Sequence, residues 1–175
     1  GKKDADLDKQ LSNGEIKVDS NMTHFEAVKH NVSKECPAEI IMDLSLVDVL
    51  YYSFDNQVHK GQVVIHKKLA GDIQQIFALA YEMKFPIGKV IPISSPNYDW
   101  DDMKSVTDNN SSSFNYREIA GRDKLSDHAT GTAIDINPRI NPFLDKKGKA
   151  TPEQAVYDPK VPGTLTAEHP IVKKF

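Results

Sequence analysis

Cysteine is nearly absent from this 175-residue chain. Cys36 is the only one, which excludes an internal disulfide framework and a cysteine-based zinc site. Its expected place is that of a small buried or half-buried side chain. Long apolar runs are missing too: none approaches the ~20 residues of a membrane-spanning helix. The start, Gly1-Lys2-Lys3-Asp4-Ala5-Asp6, lacks the apolar segment of a signal peptide. Nor is there an excess of positive charge. The formal net charge of −3 gives no bulk attraction to nucleic acid or to an anionic membrane. No internal repeat and no second domain is visible. What is present, 39% hydrophobic and 27% charged residues, describes a soluble protein with one core, at a length that fits a single domain.

Residues 1 to about 20 are polar, charged and without periodicity, and read as a flexible arm. That leaves 21–175 as the folded domain. Phe25 and Val28 mark a short helix between Asn21 and Asn31, and Cys36-Pro37 breaks it. Leu44 to Phe54 is rich in β-formers (Val47, Val49, Tyr51, Tyr52), and Gln62 to His66 reads as its antiparallel partner. The connecting loop is expected around His59-Lys60-Gly61, with Asp55-Asn56 as a turn signal. Lys68 to Phe85 is the clearest helix, with Leu69, Ile73, Ile76, Phe77, Ala80 and Tyr81 on one face; Pro86 ends it. Lys89 to Ile93 reads as a third strand, cut short or placed at an edge by Pro92. Ser94 to Ser113 is a long polar connection, read as a loop that shapes one wall of a cleft. Its acidic cluster, Asp99 to Asp102, reads as a solvated loop in preference to a cation site. Further on, Asp145-Lys146-Lys147-Gly148 is a turn, Thr151-Pro152-Glu153 reads as a helix start, and Ala167 to Phe175 reads as a terminal helix.

The chain is organised around Ser126-Asp127-His128-Ala129-Thr130-Gly131-Thr132-Ala133-Ile134-Asp135-Ile136-Asn137. It reads as a turn feeding a short strand. Ile134 and Ile136 would anchor the strand in a core, while Ala133, Asp135 and Asn137 face the other way. His128, on the turn before Gly131, can then converge with the Asp135 carboxylate. Both are good zinc ligands, although spacing alone also allows a surface histidine and a turn-capping aspartate.

Ser-x-His-x-x-Gly-x-Ala-x-Asp, filled by Ser126, His128, Gly131, Ala133 and Asp135, resembles the zinc-ligand motif of the D-alanyl-D-alanine carboxypeptidase family of metallopeptidases. That family includes L-alanyl-D-glutamate endopeptidases of the cell wall. The resemblance spans roughly residues 44 to 175, through Asn109-Asn110-Ser111-Ser112-Ser113-Phe114-Asn115-Tyr116-Arg117, Asn137-Pro138 and Asn141-Pro142-Phe143. It implies an α+β fold of the Hedgehog/D,D-peptidase type, a small antiparallel sheet with packed helices; periodicity by itself supports only mixed α and β. It implies His128 and Asp135 as zinc ligands. Arg117 would be the arginine that binds substrate carboxylate or carbonyl oxygen, and Ser126 a serine supporting the metal site. A surface ion pair for Arg117 and a turn cap for Ser126 are the plainer alternatives.

The family completes its site with a later Asp/Glu-x-x-His segment carrying the general base and the third ligand. No such spacing occurs downstream of Asp135, and His169 directly follows Glu168. The expectation is therefore that the functional protein is longer than this chain. The implied activity is zinc-dependent hydrolysis of peptide bonds in peptidoglycan stem peptides, with Zn2+ as cofactor. The implied setting is the cell envelope, periplasmic or extracellular, for a monomer with no nucleic-acid partner and no membrane span. A module that binds the stem peptide without cutting it, its metal site incomplete, is the competing class.

Overall fold

Alternation of apolar residues builds the central hairpin of the computed structural model, which describes residues 2–117 and 123–175. β2 (Leu44–Tyr52) pairs antiparallel with β3 (Val58–His66) in a register that sets Val47 opposite Val63 and Tyr51 opposite His59. One face carries Val47, Val49, Tyr51, Val63 and Ile65, the other Leu44, Leu46 and Val64. α3 (Ala70–Glu82) covers the first face with Ile73, Ile76, Phe77 and Ala80. Burial of Ile73, Ile76 and Phe77 contributes about 1.5–3 kcal/mol each relative to exposure. The second face packs on Ala27, Val28, Cys36 and Phe114. Cys36 is thus a small buried side chain, and its thiol pKa is raised by burial. The described residues form an α+β arrangement, as read from the sequence.

The hairpin loop lies earlier than expected, over residues 53–57, and His59-Lys60-Gly61 belongs to β3. Two observations explain the difference. The His59 ring is buried between two carboxylates, with Nδ1 2.8 Å from Asp19 and Nε2 2.9 Å from Asp55. Gly61 is a close-approach position, where a Cβ would overlap the Val90 carbonyl oxygen. Asp19 lies within the polar N-terminal segment. There α1 (Lys2–Ser12) buries none of its side chains, whereas β1 (Lys17–Val18) adds to β3 in parallel and Ser20 bonds to Gln62. Tyr81 also differs from expectation: it is exposed at the edge of the α3 face and stacks on Tyr52.

The expected third strand is only β4 (Lys89–Val90), paired in parallel with β5 (Asn110–Ser111) and outside the main sheet. Past it, the Asn110 side chain stands in for a strand neighbour, accepting from Ile91 N (2.9 Å) and donating to Ile91 O (2.8 Å). The long polar connection contains α4 (Asp102–Thr107), capped by the Asp101 carboxylate. Its Ser94 hydroxyl donates to the Ala27 carbonyl (2.7 Å), so part of its polarity serves the chain's own backbone.

Toward the C-terminus, β6 (Phe143–Leu144) and β7 (Ala150–Thr151) form a small hairpin. The expected helix start at Thr151 is absent, because Thr151 pairs with Phe143. The Asp145 carboxylate fixes that register by accepting from Lys147 N and Lys149 N. α5 (Pro170–Lys174) is shorter than expected; His169 caps it through Nδ1, and Pro170 occupies the first helical position. No helix among the described residues is long and apolar enough to cross a membrane.

Candidate active site

The turn that carries His128 is a short 3-10 helix, Asp127–Thr130, built by its ends. Ser126 has extended backbone, and its hydroxyl accepts from His128 N (3.2 Å), as an N-cap does. Ala129 is fully buried and anchors the turn. Gly131 closes it at φ 66, where a Cβ would lie 2.7 Å from Leu44 Cδ2 and 3.0 Å from His66 N. Gly131 O accepts from His66 N (2.8 Å), which sews the turn to the end of β3.

Asp135 is held from the other side. Its backbone makes a reciprocal antiparallel bridge with Ser112, at 3.0 and 3.1 Å. Asn115 N donates to His128 O (3.0 Å), and Ser126 N donates to Arg117 O (3.1 Å). One segment, Ser112 to Arg117, therefore positions the histidine turn, the aspartate and the arginine together. Small buried residues, Ser111, Ser112 and Ser113, let these backbones approach. The expected strand reduces to this single bridge. Ile136 enters the core, with Ile134 packed against it.

Asn137 departs from the expected pleat. At φ 48 it turns inward and is fully buried. Its Oδ1 accepts from Gly88 N, and its Nδ2 donates to the carbonyls of Pro86 and Gly163. It locks the exit of the segment and does not share a face with Asp135.

The two candidate ligands meet: His128 Nε2 stands 3.3 Å from Asp135 Oδ2. The imidazole is 14% exposed and the carboxylate 47%, so the pair is gripped by protein on the histidine side and open to solvent on the other. His128 Nδ1 lies 2.6 Å from the Ser113 carbonyl. A carbonyl only accepts, so Nδ1 carries a proton and Nε2 is the nitrogen left to bind. Burial pushes the His128 pKa down, but Asp135, by hydrogen bond and charge, and the Ser113 carbonyl outweigh it and raise it; Arg117 opposes them.

The donor set suits zinc: one imidazole nitrogen and one carboxylate oxygen, the imidazole oriented from behind by a carbonyl. Nε2 and Oδ2, 3.3 Å apart, face each other across the solvent-open side of the pair. A third His, Cys, Asp or Glu is not grouped with them among the described residues. His169 is used as the α5 cap and packs edge-on against Phe85.

Arg117 is near enough for its charge to act on His128. Its Nε is buried, makes no hydrogen bond among the described residues, and stands 3.8 Å from Asp102 Oδ1. Arg117 lines a recess of about 280 Å³ with Trp100, Asp102, Asn115, Tyr116 and residues 31–33. The Asp99–Asp102 stretch, read as a solvated acidic loop, thus contributes Asp102 and Trp100 to this recess. Sequence reading placed this connection at a cleft wall without singling out Trp100 or Asp102, and it missed the Ser113 carbonyl. The only hint was the length of the polar connection before the motif.

Residues 120–174 match a family model described as D-alanyl-D-alanine carboxypeptidase. No curated protein and no solved structure matches the chain. The segment holding His128 and Asp135 therefore carries the sequence pattern of the D-alanyl-D-alanine carboxypeptidase family, a family of peptidases.

Proposed function

We propose that this protein is a zinc-dependent peptidase acting on the stem peptides of peptidoglycan, a monomer working in the cell envelope. The convergence of His128 Nε2 and Asp135 Oδ2, with Nδ1 committed to the Ser113 carbonyl, is the observation that carries this reading. The peptidase family match over residues 120–174 supports the reaction class.

His128 and Asp135 would hold the metal. Bound zinc supplies Lewis-acid polarisation and lowers the pKa of water to about 7. The Ser113 carbonyl fixes the imidazole tautomer and ring orientation. The Arg117 guanidinium binds a peptide carboxylate or stabilises negative charge that develops on the scissile carbonyl oxygen. Ser126 supports the site through the backbone, by capping the turn that presents His128. A catalytic zinc takes three protein ligands and hydrolysis needs a proton acceptor, so a third ligand and a base must join the pair, which the resemblance implies are a histidine and a carboxylate.

The two-donor set also favours a second reading, a module that binds stem peptides without cleaving them. One experiment separates the two. The protein with its native C-terminus, zinc added, is incubated with synthetic stem pentapeptide, and new amines are followed by mass spectrometry. Cleavage that a chelator abolishes supports the peptidase. Saturable binding without cleavage supports the module, and neither result would remove both.

A further inference from the structure

Arg117 and Asp102 place a cation and an anion side by side in one small recess, 3.8 Å apart and each about one-third exposed. A guanidinium closed off by its carboxylate partner would form close hydrogen bonds. Here the contact is long, and the buried Arg117 Nε makes no hydrogen bond among the described residues. The volume of about 280 Å³ falls just under the ~300–1,000 Å³ of pockets for drug-sized ligands. It is the size for a single amino-acid residue. The walls are polar and aromatic, from Asn31, Ser33, Trp100 and Tyr116. Trp100 is fixed in place: its Nε1 donates to His30 O (3.0 Å), and its ring packs edge-on against Phe114. That bond also ties residues 30–33 to the recess, all of whose lining residues precede the family match at 120–174.

We propose that this recess is a subsite for a zwitterionic amino-acid head, whose carboxylate pairs with Arg117 and whose free ammonium pairs with Asp102. Either charge alone would leave one wall group without its partner, so the subsite selects for both. The proposal rests on the reading of the neighbouring His128–Asp135 site as one that handles peptides. It narrows the substrate class to stem peptides bearing an amino acid whose amine and carboxylate are both free.

Trp100 is the sole tryptophan, so its fluorescence reports occupancy of the recess directly. The test titrates metal-free protein with D-alanine, N-acetyl-D-alanine and D-alaninamide. D-Alanine is expected to give a saturable change in emission, and each blocked analogue to bind at least ~10-fold more weakly. In Asp102→Asn the acetylated analogue should draw level with D-alanine, while a near-UV circular dichroism spectrum checks the fold. Equal responses to the three probes, or no saturable response, would overturn the proposal whatever the variant does. The result is independent of zinc and of turnover. Discrimination here with no hydrolysis in the stem-pentapeptide assay leaves the subsite standing and removes the peptidase, and hydrolysis there without discrimination here does the reverse.

Discussion

His128 Nδ1 and the Ser113 carbonyl oxygen lie 2.6 Å apart, and this contact decides which imidazole nitrogen faces Asp135. Because the partner is a backbone atom, the arrangement depends on how the Asp127–Thr130 turn and the Ser112–Arg117 segment are held, more than on any one side chain.

Ser126 holds the turn from its N-terminal side. Ser126→Ala should cost about 0.5–2 kcal/mol, the range for loss of an N-cap, while Ser126→Asp retains most of the stability. Urea denaturation of the three proteins checks the order. A zinc affinity that falls with the cap would show that the turn orients His128.

Gly131 holds the turn from the other side. Gly131→Ala meets a left-handed φ of 66 together with contacts at 2.7 Å to Leu44 and 3.0 Å to His66 N. The substitution should destabilise by more than ~1 kcal/mol, since both the backbone and the packing resist it. A thermal midpoint equal to that of the unaltered protein would contradict this.

Asn137 is the lock behind Asp135. Asn137→Asp keeps the shape but replaces a donor that serves two carbonyls, those of Pro86 and Gly163, with an acceptor. A loss of at least ~2 kcal/mol is expected in denaturant titration. A variant that unfolds at the same urea concentration would show that these bonds are dispensable.

The N-terminal segment should be acid-labile. Asp55 is partly desolvated, which alone would raise its pKa, but Lys17 and His59 hold it at about 2. A carboxylate with a depressed folded pKa contributes stability above its unfolded value, near 3.8, and loses it as pH falls toward 2. The β1 attachment should therefore weaken between about pH 4 and pH 2, with Asp55→Asn flattening the response. Amide hydrogen exchange at Asp19 and Ser20, whose N–H groups bond to Lys60 O, reads this out.

The parts of the fold that were legible in the sequence are those where one residue type repeats at a structural period. β2 and α3 are apolar at spacings of two and three to four, and burial follows the spacing. The motif was legible because its chemistry sits in side chains at fixed offsets. What escaped is of another kind. His59 sits within a strand because Asp19, far away in sequence, and Asp55, four residues back, satisfy its ring, and no apolar alternation announces them. Asn137 leaves the pleat through its backbone angle, so alternation assigned it the wrong face. Thr151 looked like a helix cap, yet the hairpin register is set by Asp145, six residues earlier. The partners of the site, a carbonyl at Ser113 and the Trp100–Asp102 wall, become visible only when segments far apart in sequence are brought together.

The central claim is that His128 and Asp135 form a zinc site. It is tested most directly by titrating the metal-free protein with zinc while following the ring resonances of its six histidines by NMR. The account predicts that His128 responds first and that Asp135→Ala abolishes the response. A first response at another histidine, or an unchanged response in the Asp135 variant, would contradict it.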